Sequence, residues 1–503
     1  MPPASPAPSP PRPSAPARRL STGHIVFLIV AAAAPLSAMV GTVPLAFAVG
    51  TGPGVPAAFV FAGLTLLCFS VGYAVSARRT QGRGGFYGFI ADGLGRTPAV
   101  ASGFVALLSY TCATIGLVGA TAYFTRLVLA DHGMNVPWPW CAAAALAVVA
   151  FLSHREIAIS ARLLAVLMLA ETGILFVLDC AVLWRHGTHA LPTASFTPHH
   201  ALGSGLGVSI MFAFVSFIGF ESAALYGQEA RDPRRSVPRA TYVAVALIAG
   251  FYSLTSWIAV GAVGPDHLRA TAQQLQGNLF FALGQDYLGT TGTVTMQILL
   301  CTSLLAATLA LHSAAGRYAQ TLAADALLPA VLARPHPRHR SPYLACLAIT
   351  VVATAVTAVF AVLHLDVYSD MTTSMLGLGT LGIIALQALA AASVLRLRHD
   401  RPARLWSERL VPLLGFAGLV TSVWLAVHNF ALLSGSADPL VAKLPWLLLI
   451  TAAGAGAWAL WLRRARPERY RALPAVLHHG PADATEAVAP EPSRTAAPAE
   501  HIG

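Results

Sequence analysis

Apolar residues run along this chain in long stretches, separated by short polar segments rich in arginine, glycine and proline. A helix rises about 1.5 Å per residue, so roughly 20 apolar residues cross the hydrocarbon of a bilayer. By that measure the pattern predicts twelve spans: 1 at about 24–50, 2 at 55–76, 3 at 98–129, 4 at 138–153, 5 at 157–184, 6 at 204–229, 7 at 238–262, 8 at 288–318, 9 at 342–363, 10 at 370–396, 11 at 409–433 and 12 at 441–462. The fold class is all-α and polytopic, with one membrane domain over 23–465. The Pro-rich segment 1–22 lacks an apolar core and reads as a disordered tail, not a signal peptide; 466–503, polar and Pro/Ala-rich, reads the same way.

Two spans depart from the pattern. Span 6 is interrupted at Ile218-Gly219, with the acid Glu221 close behind, and runs out into QEARDPRRSVPRA. Span 1 carries Pro35, Gly41 and Pro44; Pro44 cannot donate to the Val40 carbonyl, which predicts unwinding over Ala38–Val43, a simple kink being the alternative. Freed backbone in hydrocarbon is tolerated where it lines a cavity. The breaks lie five spans apart, so they enter the membrane from opposite sides. That is the pattern of two inverted five-helix repeats, about 24–184 and 204–396, with a site at the midplane and two peripheral helices over about 409–462.

Composition agrees with the membrane reading. The chain is 56% hydrophobic and 11% charged, with mean hydropathy +0.65, where soluble proteins carry about 25% charge. The net charge of +11 comes from short loops and implies topology, not a nucleic-acid partner. With the N-terminus inside, all of the 32 basic residues except Arg126, Arg185, Arg269 and Lys443 fall in inside segments, so both termini are expected to be cytoplasmic. The six cysteines sit within apolar spans at irregular spacing and suggest neither a disulfide framework nor a metal site. The glycines after span 2 have no preceding strand and no Gly-Lys-Ser/Thr, so they make a cytoplasmic turn with a short amphipathic segment, not a phosphate loop. His186, His189, His199 and His200 are spaced too loosely for a metal. Residues 271–289 read as a short surface helix over the outer vestibule.

Ionisable groups inside spans are candidates for function because burial there is costly. They are Glu171 in span 5, Glu221 at the break and His312 in span 8; Asp179 lies nearer the outer end of span 5. A carboxyl group taken out of water can exchange a proton near neutral pH, which suits proton coupling. A structural hydrogen bond between packed helices is the alternative for each. Thr42, Tyr110, Thr111, Ser303, Thr308 and Ser313 add polar groups at similar depth.

The segment FVSFIGFESAALYGQEARDPRRSVPRA is similar to the span 6 motif of the amino acid–polyamine–organocation (APC) superfamily of permeases. Gly219-Phe220-Glu221, Glu229, Asp232-Pro233-Arg234-Arg235 and Pro238-Arg239-Ala240 carry the match, supported by GGFYGFIADGLGR, ISARLL and GRYAQTLAADALLP. The resemblance covers about 25–465. It implies a LeuT-like fold, a 5+5 inverted repeat plus two peripheral helices, and a substrate held at the breaks in spans 1 and 6. A carboxylate would lie near Val40, Gly41 and Thr42, and an amine near the carbonyls of Phe217, Ile218 and Ala38 around Gly219. Phe220 would gate the substrate, faced by Tyr110. Two departures stand out: the family's Gly-x-Gly in span 1 is Met39-Val40-Gly41-Thr42 here, and Glu171 falls at or near a position where many relatives carry a lysine.

The expected function is secondary transport of amino acids across the cytoplasmic membrane by alternating access, as proton symport. A polyamine or organic-amine carrier, or an exchanger, is the alternative. A non-transporting sensor or a membrane enzyme fits less well, because no nucleophile–base pair shares one depth. Glu171, Glu221 and His312 are the expected coupling or gating groups. No cofactor is expected; the coupling ion is a proton, with sodium as alternative. The partners are an amino acid or amine and the lipid bilayer.

Overall fold

The computed structural model describes residues 21–80, 84–155, 161–221, 232–336, 342–396, 409–433 and 443–474. Helices carry the fold, and the described residues contain no strand. Ten helices are long and apolar enough to cross a membrane, and two apolar helices, Trp138–His154 and Leu206–Ser216, are shorter. The chain is a multi-pass membrane protein. Its principal helices are α1 (Thr22–Ala32), α2 (Pro35–Val49), α3 (Val55–Thr80), α4 (Gly85–Leu94), α5 (Arg96–Asp131), α6 (Trp138–Arg155), α7 (Ala161–His186), α8 (Leu206–Ser216), α9 (Pro233–Val263), α10 (Leu268–Leu275), α11 (Leu279–Ala324), α12 (Tyr343–Val362), α13 (Thr373–Arg396), α14 (Val411–His428), α15 (Pro445–Ala465) and α16 (Pro467–Arg471). Most of loop 6–7, including Glu229, lies outside the described residues.

Helix α5 is the axis of the bundle, packed against α4, α6, α11, α13 and α15. Its most apolar stretch is 83% buried and that of 367–396 is 78% buried, against 28% for α14 and 22% for α15, which therefore flank the bundle. In lipid, apolar side chains gain little from leaving their surroundings, so close helix contact relies on small residues. Where α5 meets α13, a methyl group added at Gly379 would lie 2.6 Å from the Ser109 carbonyl oxygen and 2.7 Å from the Ala113 nitrogen. A Gly379→Val protein is expected to melt at a lower temperature in detergent, since forcing bulk into a packed contact costs about 1–3 kcal/mol. Gly454, with open space around it, is the control. Heating followed by fluorescence-detected gel filtration measures both, and equal melting of the two variants would refute the close contact.

Several expectations need correction. Span 1 does not unwind over Ala38–Val43: α2 is continuous from Pro35 to Val49 and holds Pro44 inside it. The break lies one turn earlier, at Ala33-Ala34, where Ala34 adopts φ 46, ψ 71. Pro35 then starts the next helix, the position at which a missing amide is harmless. Span 8 reaches Ala324 and turns sharply at Gly289 (φ 71, ψ −174). The segment before it is more than a surface helix. Leu268, Ala272, Phe280 and Phe281 are buried, and Arg269 and Gln273 donate to the carbonyls of Gly50 (2.8 Å) and Ala48 (3.2 Å), capping the end of α2. The C-terminal tail begins later than residue 466. Residues 467–474 dock on the bundle, with Leu473 buried and Arg96 donating to the Leu473 and Arg471 carbonyls at 2.8 and 2.9 Å.

Candidate functional site

The breaks in spans 1 and 6 form from unrelated local signals and meet in space. Helix α8 ends at Ser216, and the chain turns through Gly219 at φ 112, a conformation open to glycine and rare for other residues. A Cβ added to Gly219 would sit 2.7 Å from the Ala32 carbonyl oxygen. The span 6 break thus lies directly on the span 1 break. Tyr252 of α9 donates to the Ala33 carbonyl at 3.1 Å, and Thr42 meets Ser216, oxygen to oxygen, at 3.1 Å. The start of α2 leaves the amides of Leu36 and Ser37 without intrahelical partners, a ready site for a carboxylate. The end of α8 offers carbonyls suited to an ammonium group.

Beside the breaks lies a cavity of ≈ 790 Å³. Its inner wall is largely small and apolar, including Ala32, Ala33, Ala38, Ala307, Ala310 and Ala314, with Leu117, Leu311 and Leu376. Its mouth is bordered by Gly84–Phe86 and by Arg317, Tyr318, Gln320 and Thr321 of α11. Toward the other face, α5 carries an aromatic layer. Tyr123 stacks on Tyr368 with centroids 4.3 Å apart, Phe124 packs edge-on against Tyr368 and Phe281, and Tyr368 donates to the Gly41 carbonyl at 3.2 Å.

Glu221 borders the cavity, but its side chain is engaged. One carboxylate oxygen accepts from Tyr110 (2.8 Å) and the other from the Gly219 amide (3.0 Å), while Tyr73 donates to the Glu221 backbone carbonyl. Glu221 is thus a clasp that holds the Gly219 turn. Tyr110 stacks on Tyr318, with ring centroids 5.4 Å apart, and the Phe86 amide donates to the Tyr318 hydroxyl. Beyond the mouth, burial and the adjacent Asp325 carboxylate push the Tyr87 phenol up, so it stays protonated and donates to Asp325.

Glu171 does not line the cavity. It is buried on α7 and accepts from Ser303 at 2.7 Å; Ser303 in turn accepts from Ser37 at 2.7 Å, and Ser37 does line the cavity. The two hydroxyls thus connect the acid to the site. Of the other residues expected there, Ala38, Thr42, Tyr110, Ile218 and Gly219 line the cavity. Val40, Gly41, Phe217 and Phe220 do not border it. Phe220 is no gate in this conformation: it is fully buried and packs on Phe69 and Tyr73. His312 is buried away from the site, bonded to Ser153 of α6 at 3.0 Å and Thr350 of α12 at 2.9 Å. Ser37, Tyr73, Leu117, Ser216, Tyr318 and Leu376 are lining residues that sequence reasoning missed. Only Ser37, two residues after Pro35, had a local clue. Among the described residues no group of three or more His, Cys, Asp or Glu side chains could hold a metal.

The sequence model of a family described as amino acid permease matches residues 25–455. Over 252 residues the chain is 29% identical to an uncharacterized transporter of Mycobacterium tuberculosis, covering 49% of this chain and 52% of the relative. The chain therefore aligns with about half the length of that relative. It is 23% identical over 386 residues to the branched-chain amino acid permease BcaP of Bacillus subtilis, 71% of this chain and 76% of the relative. It is 24% identical over 396 residues to the low-affinity putrescine importer PlaP of Escherichia coli, 76% of this chain and 82% of the relative.

Proposed function

This chain belongs to the amino acid permease family, and from that premise we propose that it is a secondary carrier importing amino acids across the cytoplasmic membrane with protons, by alternating access. The supporting observation is the apposition of two helix breaks, Gly219 on Ala32, beside a cavity that both of them border. In this reading there are twelve spans, ten of them in a LeuT-like inverted repeat, with both termini cytoplasmic. The mouth bordered by Arg317 then faces the cytoplasm, and the conformation is inward-open.

The lining favours a neutral amino acid with a sizeable apolar side chain. The α-carboxylate would take the Leu36 and Ser37 amides, and the ammonium the carbonyls ending α8. The side chain would extend among the alanines with Leu117 and Leu376. A diamine would need acids at both ends. Glu221 already accepts at both oxygens, Glu171 lies behind Ser303, and Arg317 stands at the mouth. The resemblance to a putrescine importer keeps an amine carrier as the second reading.

Proteoliposome uptake of labelled leucine, phenylalanine, arginine and putrescine, with and without an acid-outside gradient, tests this. Uptake of leucine or phenylalanine, stimulated by the gradient, is expected. Transport of putrescine alone would establish the amine carrier instead, and transport unaffected by the gradient would remove the proton.

A further inference from the structure

One buried acid plays no part in the site described above. Asp179 lies on α7, eight residues beyond Glu171, or about 12 Å along the helix. It is displaced from Glu171 toward the end of α7 that faces away from the cavity mouth, where Arg185 donates to the Asp286 carbonyl at the start of α11. Its side chain is buried, and it accepts one described hydrogen bond, from Thr255 of α9 at 2.7 Å.

Helix packing alone does not call for an acid here. Asparagine would accept the same bond from Thr255, whereas a carboxyl group has acceptor capacity left over and a penalty for ionising away from water. On the elements packed against α7, the ionisable groups toward the Asp179 end are Tyr252 of α9, Cys301, Asp286 and Tyr287 of α11, His189 in the following turn and His24 of α1; Arg234, Arg235, Arg239 and Tyr242 of α9 and His312, Arg317 and Tyr318 of α11 lie toward the opposite end of those helices. Tyr252 bonds Ala33, Tyr287 bonds His186, and His24 bonds Ser21. Among the described residues no basic side chain forms an ion pair with Asp179. On α9, Thr255 bonds Asp179, and Tyr252, one turn earlier on the same helix, lies within electrostatic reach of Glu171. From Glu171 the path continues through Ser303 and Ser37 to the cavity.

We propose that Asp179 is a second proton-binding carboxyl, which takes a proton from the face opposite the cavity mouth and passes it to Glu171. Its carboxylate accepts a proton from water on that face. It returns to the carboxylate when the proton moves along the α7–α9 interface to Glu171. Proton and substrate thus enter by separate routes, the proton between α7 and α9 and the substrate by the central cavity. This rests on the proton-coupled reading of Glu171.

The test compares two assays on the same reconstituted protein: uptake driven by an acid-outside gradient, and counterflow of the same substrate without a gradient. Asp179→Asn is expected to keep counterflow within about twofold of wild type while gradient-driven uptake falls by about tenfold or more, with Asp179→Glu recovering a large part of it. Gradient-driven uptake by Asp179→Asn at the wild-type rate would overturn the proposal. If Asp179→Asn also loses counterflow, Thr255→Val decides, because it keeps the acid and removes its donor. A shifted external-pH midpoint of uptake supports the proposal, and an unchanged one overturns it. A wild-type protein that ignores the gradient would instead overturn the coupling reading of Glu171 itself, so the two failures are distinct.

Discussion

Substituting alanine for Gly219 is expected to abolish substrate uptake while leaving the protein in the membrane. Two effects act together. The turn needs φ 112, and holding a residue with a side chain in such a region costs about 1–3 kcal/mol. The added Cβ would also lie 2.7 Å from the Ala32 carbonyl oxygen and 3.0 Å from its carbon. Both are backbone atoms, so no rotamer change can relieve the clash, and the two breaks must move apart. The geometry that offers the α2 amides and the α8 carbonyls to one substrate is then lost. Uptake should fall by about a hundredfold, equivalent to roughly 2.7 kcal/mol. The spans themselves stay apolar, so insertion should persist. Gly41→Ala is the contrasting variant: Gly41 is helical and has open space where its Cβ would go, so uptake should stay within about twofold of wild type. Initial-rate uptake in proteoliposomes, normalised to inserted protein, measures both. Normal transport by Gly219→Ala would show that the contact with Ala32 does not form the site.

The second large effect is expected at Glu171. Glutamine has nearly the same shape and can still accept from Ser303, so helices α7 and α11 should stay packed. What glutamine cannot do is bind and release a proton. Glu171→Gln is therefore expected to lose the gradient-driven part of uptake, a drop of about tenfold or more, while counterflow continues. Sensitivity should extend along the relay. Ser37→Ala removes the hydroxyl that joins the cavity to Ser303, and should slow gradient-driven uptake without affecting counterflow to the same degree. A Glu171→Gln protein that still responds fully to a pH gradient would move the coupling site elsewhere.

Much of this architecture is legible from local signals. An apolar run long enough to cross a bilayer remains one whatever its neighbours do, so the ten long helices lie close to where hydrophobicity puts them. The turn at Gly219 was legible for a similar reason, since Ile218-Gly219 beside an acid is an interruption in any context. The span 1 break was misplaced because Pro35 and Pro44 carry the same local information. Which of them ends a helix depends on whether the chain before it finds partners. Ala33 does, at the Tyr252 hydroxyl, while α2 continues through Pro44 with Tyr368 bonded to the neighbouring Gly41 carbonyl.

The roles of the side chains at the site divide in the same way. Glu221 and Tyr110 were candidates from their depth in the membrane, but only the folded chain joins them and makes Glu221 a clasp on the Gly219 turn. Phe220 sits in the recognised motif, yet the short turn after the break directs its ring to Phe69 and Tyr73. His312 was a candidate on burial alone, and its neighbours α6 and α12 make it an interhelical bridge. The sequence by itself determined the membrane class, the family, the interruption at Ile218-Gly219 and the presence of an acid deep in span 5. Those properties follow from hydrophobicity, local backbone restriction and motif. Only the tertiary structure decided that Ala32 meets Gly219, that Ser37 and Ser303 link the cavity to Glu171, and that Asp179 lies against Thr255. Each of those contacts joins residues far apart along the chain, and depends on how the helices rotate about their axes when small residues allow them to pack.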